Sequence, residues 1–417
     1  MPLFLLVLLV AVTSALHADQ DLVRAADESN VNQRYVIESI SIPGIERDHL
    51  PPDLLQRVDS LVGLPCDMAM LNALSLEIRR QLHFRTVTEH LAKGSEPGRV
   101  RVSFEVSHRD RAFEVSLPRF LYHSDQGFTG EVEANAHEGA NTYTFGLVSN
   151  GDDLTERFSG ITAHLESDPS LTRPIRFELG FEDYHEQWSQ MTRDAAVGSG
   201  LDIYRSRWDI APELTFNIAP ALAVSFGTSF TETQSENALI GSRWTDAATF
   251  DVNYGHKIEG GPMEQRIDGK YSLRVATRFL GSTYAYARHM ISMRYEARTG
   301  RHLLANQFIA GSIAGEAPFF DRFVLGSSST LRGWDRYDID PLGGSRVVHN
   351  EMTYGYRTSL GTAEGFYDIG MLWQSNRAAT LRHSLGVGFR KGVFMLSLAC
   401  PLHDGRIEPV FMAGMNY

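Results

Sequence analysis

The chain is poor in cysteine. Among its 417 residues only Cys66 and Cys400 carry a thiol. They lie far apart and in what read as different domains, so no disulfide framework follows and no zinc-ligand spacing can be built on them. A basic balance is also missing. The chain has 39 Lys plus Arg against 51 Asp plus Glu, a net charge of -12. A nucleic-acid partner would call for a basic face, so that class is set aside and the acidity is assigned to solvated loops. Long apolar runs are absent beyond residue 20. No helix of the roughly 20 apolar residues needed to span a bilayer can be drawn there. The mature chain is therefore either soluble outside the cytoplasm or a closed barrel of strands. Familiar catalytic patterns are missing as well. Gly311-Ser312-Ile313-Ala314-Gly315 has its serine at the wrong place for a nucleophile elbow. His137-Glu138 and His185-Glu186 begin like a zincin helix, but Asn141 and Ser189 stand where the second histidine belongs. The sequence implies no metal site, no cofactor and no enzyme.

What is present begins with an apolar leader, Leu3 to Val12, followed by small residues through Ala15 and Ala18. Too short for a spanning helix, it reads as a secretory signal peptide over residues 1–18, although its start carries no Lys or Arg. Residues 19–33 are polar and charged, a linker. Residues 34–109 then read as a small α/β domain. Tyr35 to Ile42 alternates and stops at Pro43-Gly44, a strand and a turn. Leu50, Leu54, Leu55, Val58, Leu61 and Val62 recur at helical spacing, with Pro51 and Pro52 in a permitted first turn. Asp67 can cap a second helix with Met70, Leu71, Leu74, Ile78 and Leu82 along one stripe. Two strands follow, joined around Gly94 to Gly98. The order is β-α-α-β-β.

From residue 110 to 417 the helical stripes vanish and long alternating segments take over. Ile175, Phe177, Leu179 and Phe181 form one apolar row; Arg176, Glu178, Gly180 and Glu182 interleave with it. Leu385, Val387 and Phe389 alternate with Gly386, Gly388 and Arg390 in the same way. Charges and glycines on one row and apolar residues on the other suit a polar lumen inside a lipid-facing wall. Such alternation also suits a pair of soluble β-sandwiches, but about eleven long segments precede Arg332 and about five follow it, which favours a transmembrane antiparallel barrel of about 16 strands. The fold class is mainly β, with the small α/β domain in front. In the last segment Phe411, Ala413, Met415 and Tyr417 share the row assigned to lipid, so Phe411 and the terminal Tyr417 are placed on the outer wall.

Two short stretches carry the rest. Leu325 to Trp334 reads as a loop framing a single arginine in Leu331-Arg332-Gly333-Trp334. Phe366-Tyr367-Asp368-Ile369-Gly370 reads as a strand with one carboxylate between apolar neighbours. A charge in mid-strand of a spanning wall is costly unless it faces water or a partner, and a loop arginine is a natural partner.

These motifs resemble the Omp85 superfamily of outer-membrane barrels (bacterial surface antigen D15). The resemblance runs from about Phe323 to Tyr417. It includes the Arg-Gly-aromatic loop, Asn350-Glu351, Phe366-x-Asp368-x-Gly370 and Ser384-Leu385-Gly386-Val387-Gly388. Residues 34–109 resemble one POTRA domain in element order. The chain departs from the family in having Gly326-Ser327 where a Gly-Gly pair is common, Trp334 in place of Tyr or Phe, and a single POTRA-like domain. The resemblance implies that the sixth loop folds into the lumen and that Arg332 contacts Asp368. Gly333 would let the loop turn, Trp334 would wedge against the wall, and Phe366 and Gly370 would flank the carboxylate. It also implies a bacterial outer-membrane protein with its POTRA-like domain in the periplasm. That protein would insert or translocate polypeptide clients through the POTRA edge and the barrel seam, among outer-membrane lipid and with accessory assembly proteins as further partners. The alternative is a passive channel or structural barrel without a protein client.

Overall fold

The computed structural model describes residues 35–45, 47, 50–82, 84–109, 113–138, 141–149, 158–167, 175–219, 221–237, 239–258, 263–374, 379–402 and 408–416. The expected leader and linker, and Tyr417, lie outside the described residues. The chain divides into two compact units, residues 1–111 and 112–417.

The first unit contains β1 (Val36–Ser41), α1 (Pro52–Leu61), α2 (Met68–Leu82), β2 (Phe84–Lys93) and β3 (Arg99–Arg109). Its sheet order is β1-β3-β2, with β1 parallel to β3 and β2 antiparallel to it. Helix α1 begins at a proline, whose missing N–H is no loss in a first turn, and buries Leu54, Val58 and Leu61. Gly63, at φ +88°, follows its end. The Asp67 carboxylate accepts from the Ala69 amide at 2.8 Å at the start of α2, whose Leu71, Leu74, Ile78 and Leu82 face inward. Both helix stripes meet Ile37, Ile40, Val102 and Phe104 of the sheet in one apolar core.

The second unit is built from strands. They are β4 (Phe113–His123), β5 (Gly127–Glu138), β6 (Asn141–Ser149), β7 (Phe158–Ser167), β8 (Ile175–Glu186), β9 (Tyr204–Ala219), β10 (Leu222–Ser235) and β11 (Ser242–Ile258). Then come β12 (Glu264–Ala276), β13 (Ala285–Thr299), β14 (His302–Glu316), β15 (Arg346–Arg357), β16 (Thr362–Trp373), β17 (Arg382–Lys391), β18 (Phe394–Pro401) and β19 (Val410–Asn416). Among the described residues these form one closed barrel of 16 strands. Each strand is antiparallel to its sequence neighbour, and β19 pairs back onto β4. Two short α-helices sit in connections among the described residues: α3 (Gln190–Ser199), where the Ser189 hydroxyl accepts from the Thr192 amide at 3.0 Å, and α4 (Arg336–Ile339).

Alternation explains the wall. On β17 Leu385 and Val387 are exposed while Ser384 between the same strands is fully buried. On β16 Tyr367 is exposed, whereas Phe366 and Asp368 are buried. Phe145, Leu147, Phe226, Leu396, Leu398 and Phe411 continue the exposed apolar row around the barrel. A water-soluble sheet would turn such a row inward; a wall bathed in lipid turns it outward. No helix among the described residues is long and apolar enough to cross a membrane.

The two ends of the barrel differ. At one end the turns are short: residues 300–301, 358–361 and 392–393. At the other the connections are long, 187–203 and 317–345 among them. The closure is also uneven. Strands β13 and β14 share a register from Ala285↔Glu316 to Thr299↔His302. Between β19 and β4, among the described residues, it runs from Met412↔His123 to Asn416↔Arg119. The start of β4 extends past its partner, and Pro118 lies within the register shift between Ser116 and Arg119.

Candidate functional site

The connection 317–345 between β14 and β15 is the sixth at the long-loop end. Its sequence is rich in apolar and small residues, and these decide its course. Phe323, Leu325, Leu331 and Trp334 are buried with Ile313, Val347 and Leu372 of the wall, so the loop lies folded into the lumen. Burying four large side chains of this kind favours the folded-in loop by several kcal/mol, at roughly 1.5–3 kcal/mol each when burial is complete.

At the loop's inner turn Arg332 meets Asp368 of β16. The guanidinium donates from Nε to Oδ2 at 2.8 Å and from Nη2 to Oδ1 at 2.7 Å, and the Arg332 amide donates to Oδ2 at 3.1 Å. This is a bidentate, charge-assisted fork with a third donor from the backbone. Nη2 also lies 2.9 Å from Oε1 of Glu351 on β15. The Arg332 Cζ lies 3.6 Å from the Phe366 ring centroid, a cation–π contact. Asp368 has no exposed surface. A carboxylate so enclosed would be costly alone; the fork supplies the compensating charge and donors.

Neighbouring residues hold that turn. Gly333 has φ +89°, and a Cβ there would stand 3.1 Å from Ala399 of β18, so the backbone both turns left-handed and approaches the wall closely. The Trp334 indole donates to the His383 carbonyl of β17 at 2.8 Å, under the Arg382 guanidinium. Gly370 makes room for the loop too, but for a different residue: a Cβ there would lie 2.9 Å from Leu325 Cδ2. On the other side of the seam, Arg119 of β4 donates to the Ser328 hydroxyl at 3.3 Å and Gln126 donates to the Gly326 carbonyl at 3.2 Å.

The structure thus brings Arg332, Gly333, Trp334, Phe366, Asp368 and Gly370 together around one loop. Phe411 lies apart from them, exposed on the outer wall beside Leu398. Two features escaped the sequence reading. One is Glu351 as a second acid for Arg332. The other is an anchor at the loop's first limb. There Asp321 lies 3.1 Å from Arg274 of β12, the Tyr286 hydroxyl of β13 donates to its carboxylate, and Arg288 donates to its carbonyl at 3.0 Å. Phe320 beside it lies under both Arg207 and Arg274, at 5.1 and 5.9 Å. Strand parity could have found these groups, since Lys270, Ser272 and Arg274 share the lumen-facing row of β12. Among the described residues there is no cluster of three metal-ligating side chains.

Comparison with known proteins gives the same architecture. Residues 270–394 match the model of the Omp85 superfamily domain. BamA from Haemophilus ducreyi, lacking POTRA domains 1–3, superposes with a TM-score of 0.61 at 14% identity, over 93% of this chain and 85% of that one. CdiB from Acinetobacter baumannii superposes with a TM-score of 0.63 at 14% identity, over 92% of this chain and 74% of that one. CdiB from Escherichia coli gives 0.59 at 11% identity, over 92% and 76%. No curated protein sequence matches significantly.

Proposed function

We propose that this chain, an outer-membrane barrel of the Omp85 superfamily, inserts or translocates polypeptides. The observation that carries the reading is the loop 317–345 folded into the lumen and forked through Arg332 onto Asp368. A passive pore gains nothing from filling its lumen with a tethered loop. A barrel that must change shape around a client does gain from it, because the loop ties the wall on both sides of its weakest joint.

That joint is the β4–β19 closure. The loop holds β4 through Arg119 and β16 and β17 through Asp368 and the His383 carbonyl. With few ladder bonds between β19 and β4, parting them costs less than parting any pair with a long register. The free start of β4 then offers unpaired backbone groups to an incoming strand, which is β-augmentation. Arg332 and Asp368 act as the latch that keeps the loop docked and the distant wall rigid while the joint yields. Phe366, Gly333, Trp334 and Gly370 position that latch.

By the usual asymmetry of such barrels the short turns face the periplasm and the long connections the cell exterior. The α/β unit, residues 34–109, is read as a single POTRA-like domain on the periplasmic side. Its β-α-α-β-β order supports this, and its sheet has edges at β1 and β2 where an extended client can add. Accessory assembly proteins would dock there as well.

Depletion of the protein followed by quantitative outer-membrane proteomics tests the reading. Loss of many barrels would mean a role in insertion, and loss of one exported protein would mean dedicated transport. Unchanged levels of every other membrane and exported protein, together with steady client-independent conductance, would overturn it in favour of a passive channel.

A further inference from the structure

We infer that the short-turn mouth of the lumen binds carboxylate-rich polypeptide segments. This rests on the polypeptide-handling reading and names the chemistry of its client. A cavity of about 330 Å³ opens at that mouth beside Arg332. Arg294 and Arg298 of β13, Arg301 of the following turn, Arg357 at the end of β15 and Arg390 of β17 line it. So dense a basic cluster stands out in a chain of net charge -12.

The acids of the same wall are already engaged. Glu296 takes Arg294 at 2.6 Å and Arg298 at 3.3 Å. Glu364 takes Arg390 at 3.1 Å, and Glu351 takes Arg332 at 2.9 Å. Counting Arg332, the lining holds six guanidinium groups (Arg294, Arg298, Arg301, Arg332, Arg357, Arg390) against three glutamates (Glu296, Glu351, Glu364). Among the described residues Arg301 and Arg357 form no ion pair. Their backbones are joined, the Arg357 amide donating to the Arg301 carbonyl at 2.7 Å, and both residues line the same cavity. Like charges gathered in one cavity favour an incoming anion, and low-dielectric walls focus the field.

Spacing selects a polymer over a single ion. The arginines sit on alternate strands β13, β15 and β17, about 10 Å apart at roughly 4.8 Å per strand. An extended peptide crossing the strands at about 3.3 Å per residue presents acidic residues three apart at that same interval. Guanidinium forks match each carboxylate bidentately.

The test uses the full chain in nanodiscs of phosphatidylcholine. A fluorescent twelve-residue peptide of Glu and Ser is titrated, beside its Lys and Ser counterpart, with inorganic polyphosphate as competitor. The variants are Arg301→Gln, Arg357→Gln and the pair, each checked for a folded barrel by heat-modifiable gel mobility. The Glu peptide should bind and the Lys peptide should not. Binding should weaken with salt. The double variant should lose at least about tenfold, as expected for two charge-assisted contacts. Arg357→Lys should retain most of the binding. Equal binding of the two peptides, unchanged affinity in the variants, or tighter binding of polyphosphate than of peptide would overturn the inference. Should the double variant fail to fold, Arg301→Gln alone, at an exposed turn, decides it. The parent reading fails separately: unchanged levels of every other membrane and exported protein on depletion, with intact Glu-peptide binding, would leave the mouth standing and remove the transport role.

Discussion

Asp368 is the residue on which the proposed latch turns. Its carboxylate is enclosed, and three donors from Arg332 converge on it. Removing one side leaves the other poorly compensated, at about 3–5 kcal/mol for a buried pair. Glu351 softens one direction only. In Asp368→Ala the arginine still has that glutamate at 2.9 Å; in Arg332→Ala both acids are abandoned. Both variants should leave a folded barrel with an undocked loop and impaired client handling, and Arg332→Ala should be the more severe. Limited proteolysis of residues 317–345 beside heat-modifiable mobility checks this; unchanged cleavage and full activity in both variants would remove the latch. In the first unit, the Glu38 carboxylate accepts from the Ser95 hydroxyl at 2.8 Å and the Ser95 amide at 2.7 Å, which hold its pKa below the usual glutamate value. A lowered folded pKa means that its contribution is present above the unfolded value, about 4.3, and is lost as pH falls through the folded one. Amide protection at residues 36–41 and 94–103, measured relative to the intrinsic exchange rate at each pH, should therefore fall on acidification below that range, and Glu38→Gln should flatten the response. An identical acid response in Glu38→Gln would contradict the assignment.

At the scale of elements, the loop 317–345 behaves as a strut with two feet. The foot at Arg332 was legible in the sequence, because an arginine framed by Leu331 and Gly333 and an aspartate inside an apolar strand are each conspicuous. The foot at Phe320 and Asp321 was not. Its partners Arg207, Arg274 and Tyr286 come from three strands distant in sequence, and only barrel closure brings them to one loop residue. The strand alternation told which face each side chain takes, and so the lumen's polarity, but not which charges meet across it. Two feet predict partial release. Asp321→Asn should free the limb before Phe323 while Arg332 stays docked, since Arg274 would lose its ion pair but keep the Tyr286 hydroxyl at 3.1 Å. Protease sites near residues 317–322 should open and those near 332 should stay protected. Uniform cleavage along the loop would mean that the feet act as one.

Among the described residues the barrel closes through its shortest ladder, and this sets a demand that the function must meet. Five register pairs join β19 to β4 there, from Met412↔His123 to Asn416↔Arg119. The strand count and antiparallel order followed from alternation and turn residues, whereas the shortness of this joint depends on how far β4 overhangs β19. That is not visible until the first and last strands of the barrel are paired. If clients pass by way of this joint, fixing it should stop them. Tyr122 and Ala413 are opposed across it. In a background with Cys66 and Cys400 replaced by serine, Tyr122→Cys with Ala413→Cys should form a disulfide on oxidation, seen as altered mobility of the unfolded chain. Client handling should fall to background when the bond is formed and return on reduction, with each single cysteine variant unaffected. The loop and its two feet should remain protease-protected throughout, because the joint is separate from Asp368 and Asp321. Full activity in the quantitatively cross-linked protein would mean that polypeptides pass through the lumen beside the docked loop, and the basic mouth would then be the start of that path rather than a step before lateral release.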